Sequence, residues 1–149
     1  MNPKDTRSAD EIVAALKLLP HPEGGFYAEI YRDEPADGSR GSATSIYFLL
    51  RRDEVSAWHT VDAVELYHHY AGAPLELSVS EDGKDVRKLG LGVDIAAGER
   101  PFAMVPAGAW QSARSMGAWT LIGCTVAPAF EFDGFEMAPA GWVPGQIVD

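Results

Sequence analysis

The sequence predicts an all-β domain with one short helix at its N-terminus. Downstream of that helix, the chain contains many short runs rich in β-branched and aromatic side chains, spaced near ten residues apart. Turn-forming segments such as DEPADGSRG, EDGKD and AAGERP separate these runs, and no helical pattern lies between them. This arrangement is typical of a β-sandwich or β-barrel. A chain of 149 residues fits a single domain with a sizeable core.

The N-terminal helix is predicted over about residues 8–19. Ser8 and Glu11 have the spacing of a capping box, in which each side chain bonds to a backbone N–H at the start of a helix. Apolar residues follow at helical spacing, and two prolines end the pattern. The predicted parts of the single domain are therefore the helix at 8–19, a strand-rich barrel at 23–135 and an extended C-terminal tail at 136–149.

Charge and composition exclude some partners. The net charge of −10 repels phosphate backbones and anionic lipids, so we expect neither a nucleic-acid partner nor a membrane. The single cysteine, Cys124, permits no intrachain disulfide and fits a reducing compartment. The N-terminus lacks the features of a signal peptide, and no apolar run is long enough to span a bilayer. A cytoplasmic location is therefore predicted.

The stretch WHTVDAVELYHHYAG contains the main candidates for chemistry. If VELYHHYA is a strand, then Glu65, Tyr67 and His69 share one face, whereas His68 lies on the other. A bend through TVDA could bring His59, on the preceding strand, beside Glu65. An imidazole and a carboxylate on adjacent strands could bind a divalent ion or act as a base and an acid.

Two motifs in the chain resemble those of the cupin superfamily. His59, Glu65 and Gly72 have the spacing of the first cupin motif. Pro106 and Gly108 fit the second motif, P-x-G.

The chain departs from the usual cupin pattern at two ligand positions. Val61 stands where the first motif has its second histidine, and Gln111 stands where the second motif has a histidine. The resemblance therefore implies a reduced set of metal ligands, namely His59, Glu65 and Gln111.

Five blocks in order resemble one cupin branch of unknown function: HPEGGFYAEIYR, TSIYFLL, AWHTVDAVELYHHYAGAPLEL, VPAGAWQSA and LIGCTVAPAFEF. The resemblance implies a double-stranded β-helix (jelly roll) and a homodimer, formed through a sheet edge or the N-terminal arm. It also implies a pocket inside the barrel near His59, Glu65 and Gln111, similar to that of nucleotide-sugar epimerases.

The preferred hypothesis is a small-molecule-binding cupin, a sugar-type isomerase or epimerase. His59 is then the base, Glu65 orients it, and Tyr67 or Tyr47 donates a proton. The predicted ligand-binding residues are Ser45, Tyr47, His69 and Gln111, of which Ser45 and Tyr47 are expected to face the barrel interior. One alternative is a metal-dependent enzyme in which His59, Glu65 and Gln111 hold Mn, Fe, Ni or Zn. Another is a non-catalytic binding or sensor module for a carbohydrate-like ligand.

Overall fold

A computed structural model describes residues 7–145 and contains one α-helix and two antiparallel sheets within that range. Helix α1 spans Ala9–Leu16. The strands are β1 Leu19–Pro20, β2 Phe26–Arg32, β3 Thr44–Arg51, β4 Val55–Val61, β5 Val64–Gly72, β6 Leu75–Ser80, β7 Arg87–Leu91, β8 Phe102–Val105, β9 Trp110–Ser115, β10 Trp119–Ala127 and β11 Phe135–Met137. Short 3₁₀ turns lie at Ile95–Ala97 and Phe132–Gly134.

The two sheets pack face to face around one core. The first has the strand order β1-β2-β3-β10-β5-β8, and the second has the order β11-β4-β9-β6-β7. Side chains from both sheets meet in the largest apolar cluster, which includes Leu50 and Ile122 of the first sheet and Leu75 and Leu77 of the second. The predicted all-β jelly roll with one N-terminal helix is confirmed.

The helix begins as predicted and ends earlier. Ser8 caps it, since its hydroxyl oxygen accepts a hydrogen bond from the backbone N–H of Glu11 at 3.1 Å. Lys17 then adopts a left-handed conformation (φ 56°), and its N–H bonds to the carbonyl of Val13, which stops the helix at Leu16. The predicted end at residue 19 is therefore wrong, because the next residues leave the helix to pair with β2.

The bend through TVDA carries the chain from one sheet to the other. β4 lies in the five-stranded sheet and β5 in the six-stranded sheet. His59 and Glu65 are both buried and line one cavity, but they are not on neighbouring strands. The prediction of adjacent strands is corrected: the two side chains approach from opposite sheets.

The predicted C-terminal tail starts as a strand. β11 pairs with the end of β4, with Met137 opposite His59. Farther along, the ring of Trp142 lies 4.5 Å from that of Trp110 and 6.1 Å from that of Trp58, so the tail packs on the five-stranded sheet. Residues 146–149 of the predicted tail and residues 1–6 of the N-terminal arm lie outside the described residues.

Candidate functional site

A cavity opens at the end of the barrel where β3 and β5 begin and β4 and β10 end. Its volume is about 80 Å³. Polar and aromatic side chains dominate its lining: His21, Glu23, Glu29, Arg32, His59, Glu65, Tyr27, Phe130, Phe132 and Phe135.

Glu23 is the direct partner of His59. The carboxyl Oε2 of Glu23 lies 3.1 Å from Nε2 of His59. On the other side of the ring, Nδ1 lies 2.7 Å from the carbonyl of Ala57, which can only accept, so Nδ1 carries a proton. Burial raises the pKa of Glu23 to about 8 and lowers the pKa of His59. Near neutral pH, Glu23 is therefore protonated, and its O–H donates a hydrogen bond to the lone pair on Nε2 of His59.

Two glycines let the chain bring Glu23 to this position. Gly24 has φ +108°, and a Cβ there would lie 2.2 Å from the carbonyl oxygen of Val55 on β4. Gly25 has φ +79°, and its Cβ would lie 2.7 Å from the carbonyl oxygen of Leu49 on β3. The turn thus lies directly against both sheets, where any larger residue would collide.

His21 supports the same turn. Its Nδ1 accepts a hydrogen bond from the backbone N–H of Glu23 at 3.1 Å. Burial, together with the neighbouring His59, lowers the pKa of His21 to about 4, so the ring stays neutral and can accept.

A second hydrogen-bonded chain runs from Glu65 into the core. The side-chain amide of Gln111 donates to Oε1 of Glu65 at 3.0 Å, and the hydroxyl of Tyr67 donates to Oε1 of Gln111. Burial raises the pKa of Glu65 to about 7; His59 opposes the rise and nearby Glu23 adds to it. Tyr67 does not line the cavity. Its predicted role as proton donor is therefore corrected: it orients Gln111.

Ser45 and Tyr47 face away from the cavity, so the prediction that they line it is wrong. Ile46, between them on β3, lines the cavity instead. The hydroxyl of Ser45 bonds to that of Thr125 at 2.8 Å, and Tyr47 packs in the apolar cluster under α1. Both faces of β3 are covered, one by the opposite sheet and one by the helix, so alternation alone could not distinguish them.

His69 lies on a strand position that shares its face with Glu65, but it does not line the cavity. Its Nε2 donates to the carbonyl of Ala73 at 3.0 Å, and its Nδ1 is buried without a hydrogen-bond partner. The predicted ligand role is not supported by this position. His68 faces outward as predicted, where its ring stacks on Tyr70.

The predicted metal ligands do not form a ready metal site. Nε2 of His59 faces Glu23, and Oε1 of Gln111 accepts from Tyr67. In the part of the chain that the structure describes, no group of three or more His, Cys, Asp or Glu side chains is arranged to hold a metal ion. Metal binding by His59, Glu65 and Gln111 stays a prediction, and no step below depends on it.

Sequence reasoning missed Glu23 as a site residue. The available signal was an acidic residue followed by two glycines, directly after a histidine and a proline. A charged side chain beside a turn is usually exposed, so only the contact with β4 reveals its role. There the carbonyl of Glu23 accepts from the N–H of Ala57 at 2.9 Å.

The family model described as "Cupin superfamily (DUF985)" matches residues 10–138. The chain belongs to this family. Protein SO0799 from Shewanella oneidensis is 41% identical to this cupin, with a TM-score of 0.85 over 89% of this chain and 85% of that chain. A hypothetical protein from Leishmania major is 29% identical, with a TM-score of 0.79 over 89% of this chain and 88% of that chain.

Oxalate decarboxylase from Bacillus subtilis shares only the fold with this cupin. It is 12% identical, with a TM-score of 0.63 over 79% of this chain and 29% of that chain. No curated protein matches the chain. No helix within residues 7–145 is long and apolar enough to cross a membrane. These findings support a cupin-fold protein of unknown function.

Proposed function

We propose that this cupin binds a small, sugar-like hydroxycarbonyl compound and catalyses proton transfer on it, as a sugar-type isomerase or epimerase. One observation carries the proposal: the carboxyl of Glu23 contacts Nε2 of His59 at 3.1 Å in a cavity that also holds the carboxyl of Glu65. Paired groups of this kind, buried in a cavity and perturbed in pKa, are typical of acid/base sites.

The pKa values of the two carboxyl groups suggest their roles. Glu65, with a pKa of about 7, is partly ionised near neutral pH and suits a general base. Glu23, with a pKa of about 8, is mostly protonated and, with His59, suits a general acid. His59 thus shares a proton with Glu23, which replaces the predicted scheme in which Glu65 orients His59 as the base.

The proposed reaction balances without an oxidant or reductant. Glu65 removes a proton from the carbon next to the carbonyl, while the Glu23–His59 pair gives a proton to the carbonyl oxygen, which forms an enediol. Glu65 then returns its proton to the former carbonyl carbon, and the neighbouring hydroxyl returns a proton to the pair. The product is the isomer. The epimer forms instead when a proton reaches the original carbon from its opposite face and the former carbonyl oxygen gives its proton back to the pair.

Deuterium exchange tests this proposal. Sugars incubated with the protein in D₂O should gain deuterium at the carbon next to the carbonyl, as observed by NMR. We expect Glu65→Gln and His59→Asn to slow this exchange by about 10²-fold or more, the usual contribution of one acid or base group. Glu81→Gln, at an exposed site that does not line the cavity, serves as the control. Unchanged exchange in both site variants would contradict the assignment.

The two alternative functions predict other results. A non-catalytic binding module would bind a sugar tightly, with no exchange after long incubation. A metal-dependent cupin would retain a stoichiometric divalent ion when purified without chelators and lose it in Glu65→Ala. Metal analysis and exchange measured on the same preparation therefore separate the three functions.

We also propose a second copy of the chain as the protein partner. The outer face of the six-stranded sheet exposes Tyr70, Phe102 and Met104 by 53%, 50% and 44%. The outward positions of β5, β8 and β10 carry no acidic side chain, so two chains of net charge −10 can pack there without bringing carboxylates of these strands together. Sedimentation should show a dimer that Phe102→Glu weakens; an unchanged dimer would place the contact elsewhere.

A further inference from the structure

We infer that the cavity takes a ligand the size of a single sugar ring that carries no negative charge, and therefore discriminates against sugar phosphates and nucleotide-linked sugars. The inference rests on the proposed function, since it names the substrate class of the same cavity. Three observations support it: the volume of the cavity, the ion pair that Arg32 in the cavity wall already makes, and the carboxylates near Arg32 at the cavity opening, which we call the mouth.

The volume limits the ligand to a small molecule. The cavity has a volume of about 80 Å³. A cavity of this volume holds several waters, since about 10–15 Å³ suffices to enclose one. One monosaccharide ring is of this size, whereas a nucleotide-linked sugar would leave most of its atoms outside.

The cation in the cavity wall is already paired. Arg32 is the only Lys or Arg side chain that lines the cavity within the described residues. Its Nε and Nη2 donate to the two carboxylate oxygens of Glu29 at 2.8 Å and 3.0 Å, and its Nη1 donates to the carbonyl of Phe130 at 3.0 Å. A phosphate would have to displace Glu29 to gain the bidentate contact that arginine offers anions.

The surroundings of Arg32 are acidic. Besides Glu29, the carboxylates of Glu34 and Glu131 lie close enough to Arg32 to help raise its pKa. Glu29 is thus in direct contact with the Arg32 guanidinium, and two further carboxylates act on it electrostatically. The negative potential there repels an approaching anion, leaves a neutral ligand largely unaffected and attracts a cationic one.

The interior of the cavity is also suited to uncharged hydroxyl groups. Glu23 and Glu65 can each donate a hydrogen bond when protonated and accept one when ionised, which matches the hydroxyls of a sugar. A ligand phosphate beside Glu65 would face a like charge in a buried site whenever that carboxyl group is ionised. Phe130, Phe135 and Tyr27 supply ring surfaces against which the C–H face of a sugar packs.

Matched ligand pairs test the inference with the intact chain. D-Glucose, D-mannose and D-fructose are each compared with the corresponding 6-phosphate, and D-glucosamine serves as the cationic probe, in titrations followed by ¹⁵N NMR. We expect at least one neutral sugar to shift the amides of cavity-lining residues such as Glu23, and its phosphate to bind about tenfold more weakly, as like-charge repulsion predicts. If that sugar is glucose, glucosamine should bind at least as tightly.

Two results would overturn the inference: a phosphate that binds as tightly as its neutral partner, or no binding by any neutral sugar. Failure of the proposed function is distinguishable, because selective binding without deuterium exchange would refute the catalysis and leave the ligand class intact.

A charge variant gives a second, independent readout. Glu131→Gln removes one acid from the mouth at an exposed site, so we expect sugar-phosphate binding to tighten about twofold, a typical effect of one exposed charge. Neutral-sugar binding should stay the same, and Glu81→Gln, the control, should change neither. If both variants bound the sugar phosphate with the same affinity, the acidic residues at the mouth would not be what weakens phosphate binding.

Discussion

The two ends of the barrel interior are both buried but chemically opposite. At one end, Leu50, Leu75 and Leu77 from both sheets meet with no exposed surface. At the other end, His59 and Glu65 are almost as deeply buried, with 2% and 7% of their surface exposed. Burying an aliphatic side chain stabilises the fold, whereas burying a carboxyl group costs free energy and raises its pKa. The leucine-filled end therefore offsets the cost of the polar end.

The largest expected effect on stability comes from a substitution at the leucine-filled end. Leu77→Ala removes a side chain with no exposed surface, so we expect a loss of about 3 kcal/mol in the free energy of unfolding, from lost burial and the remaining cavity. Urea denaturation measures this loss. A cost below about 1 kcal/mol would mean that this end does not carry the stability that we assign to it.

The next effect concerns the polar end and depends on pH. The pKa of Glu23 is raised from 4.5 to about 8 on folding, so its stabilising contribution is complete below pH 4.5 and is lost as pH rises through about 8. The pKa values of His21 and His59 are lowered on folding, so these groups oppose the trend only weakly above pH 6.5 and hardly at all above about pH 7.5. We expect Glu23→Gln to remove about 2 kcal/mol of the wild-type decline in stability between about pH 6.5 and 8.5.

Urea denaturation at several pH values checks this expectation. Glu81→Gln, at an exposed position, is the matched control and should decline as the wild type does. A wild-type stability that rises with pH over this window would have the opposite sign and contradict the burial of a protonated Glu23.

A smaller effect tests how the turn brings Glu23 into the cavity. Gly24→Ala places a Cβ 2.2 Å from the carbonyl oxygen of Val55, whereas Gly38→Ala, also at a positive φ, meets nothing within 4 Å. The comparison separates collision from backbone strain. We expect Gly24→Ala to cost about 1–2 kcal/mol more than Gly38→Ala in urea denaturation. Equal costs would show that the turn can move away from β4.

The smallest effect on stability should accompany a clear effect on binding. Phe132 is 64% exposed yet lines the cavity, so Phe132→Ala should change the free energy of unfolding by less than about 0.5 kcal/mol. We expect its neutral-sugar affinity, measured by NMR titration, to fall severalfold. Ile95→Ala, at a 54% exposed site that does not line the cavity, is the control, and an equal loss of affinity in both variants would contradict a role for Phe132.

Much of the fold and part of the site could be predicted from the sequence. The capping box located the start of the helix, and turn-forming segments located most strands within a few residues. The resemblance to cupins implied that His59, Glu65 and Gln111 lie close together; His59 and Glu65 line one cavity, and Gln111 donates a hydrogen bond to Glu65. The helix start and the strands depend on local sequence patterns, because caps, turns and side-chain alternation involve residues close together in the chain.

Only the tertiary structure determined which groups meet. β3 is buried on both faces, so the sequence could not tell that Ile46 rather than Tyr47 faces the cavity. Glu23 reaches His59 across 36 positions because two glycines let the turn lie against both sheets. Local patterns thus determine strands and caps, whereas the pairing of buried charges depends on how distant segments pack, which no short-range pattern records.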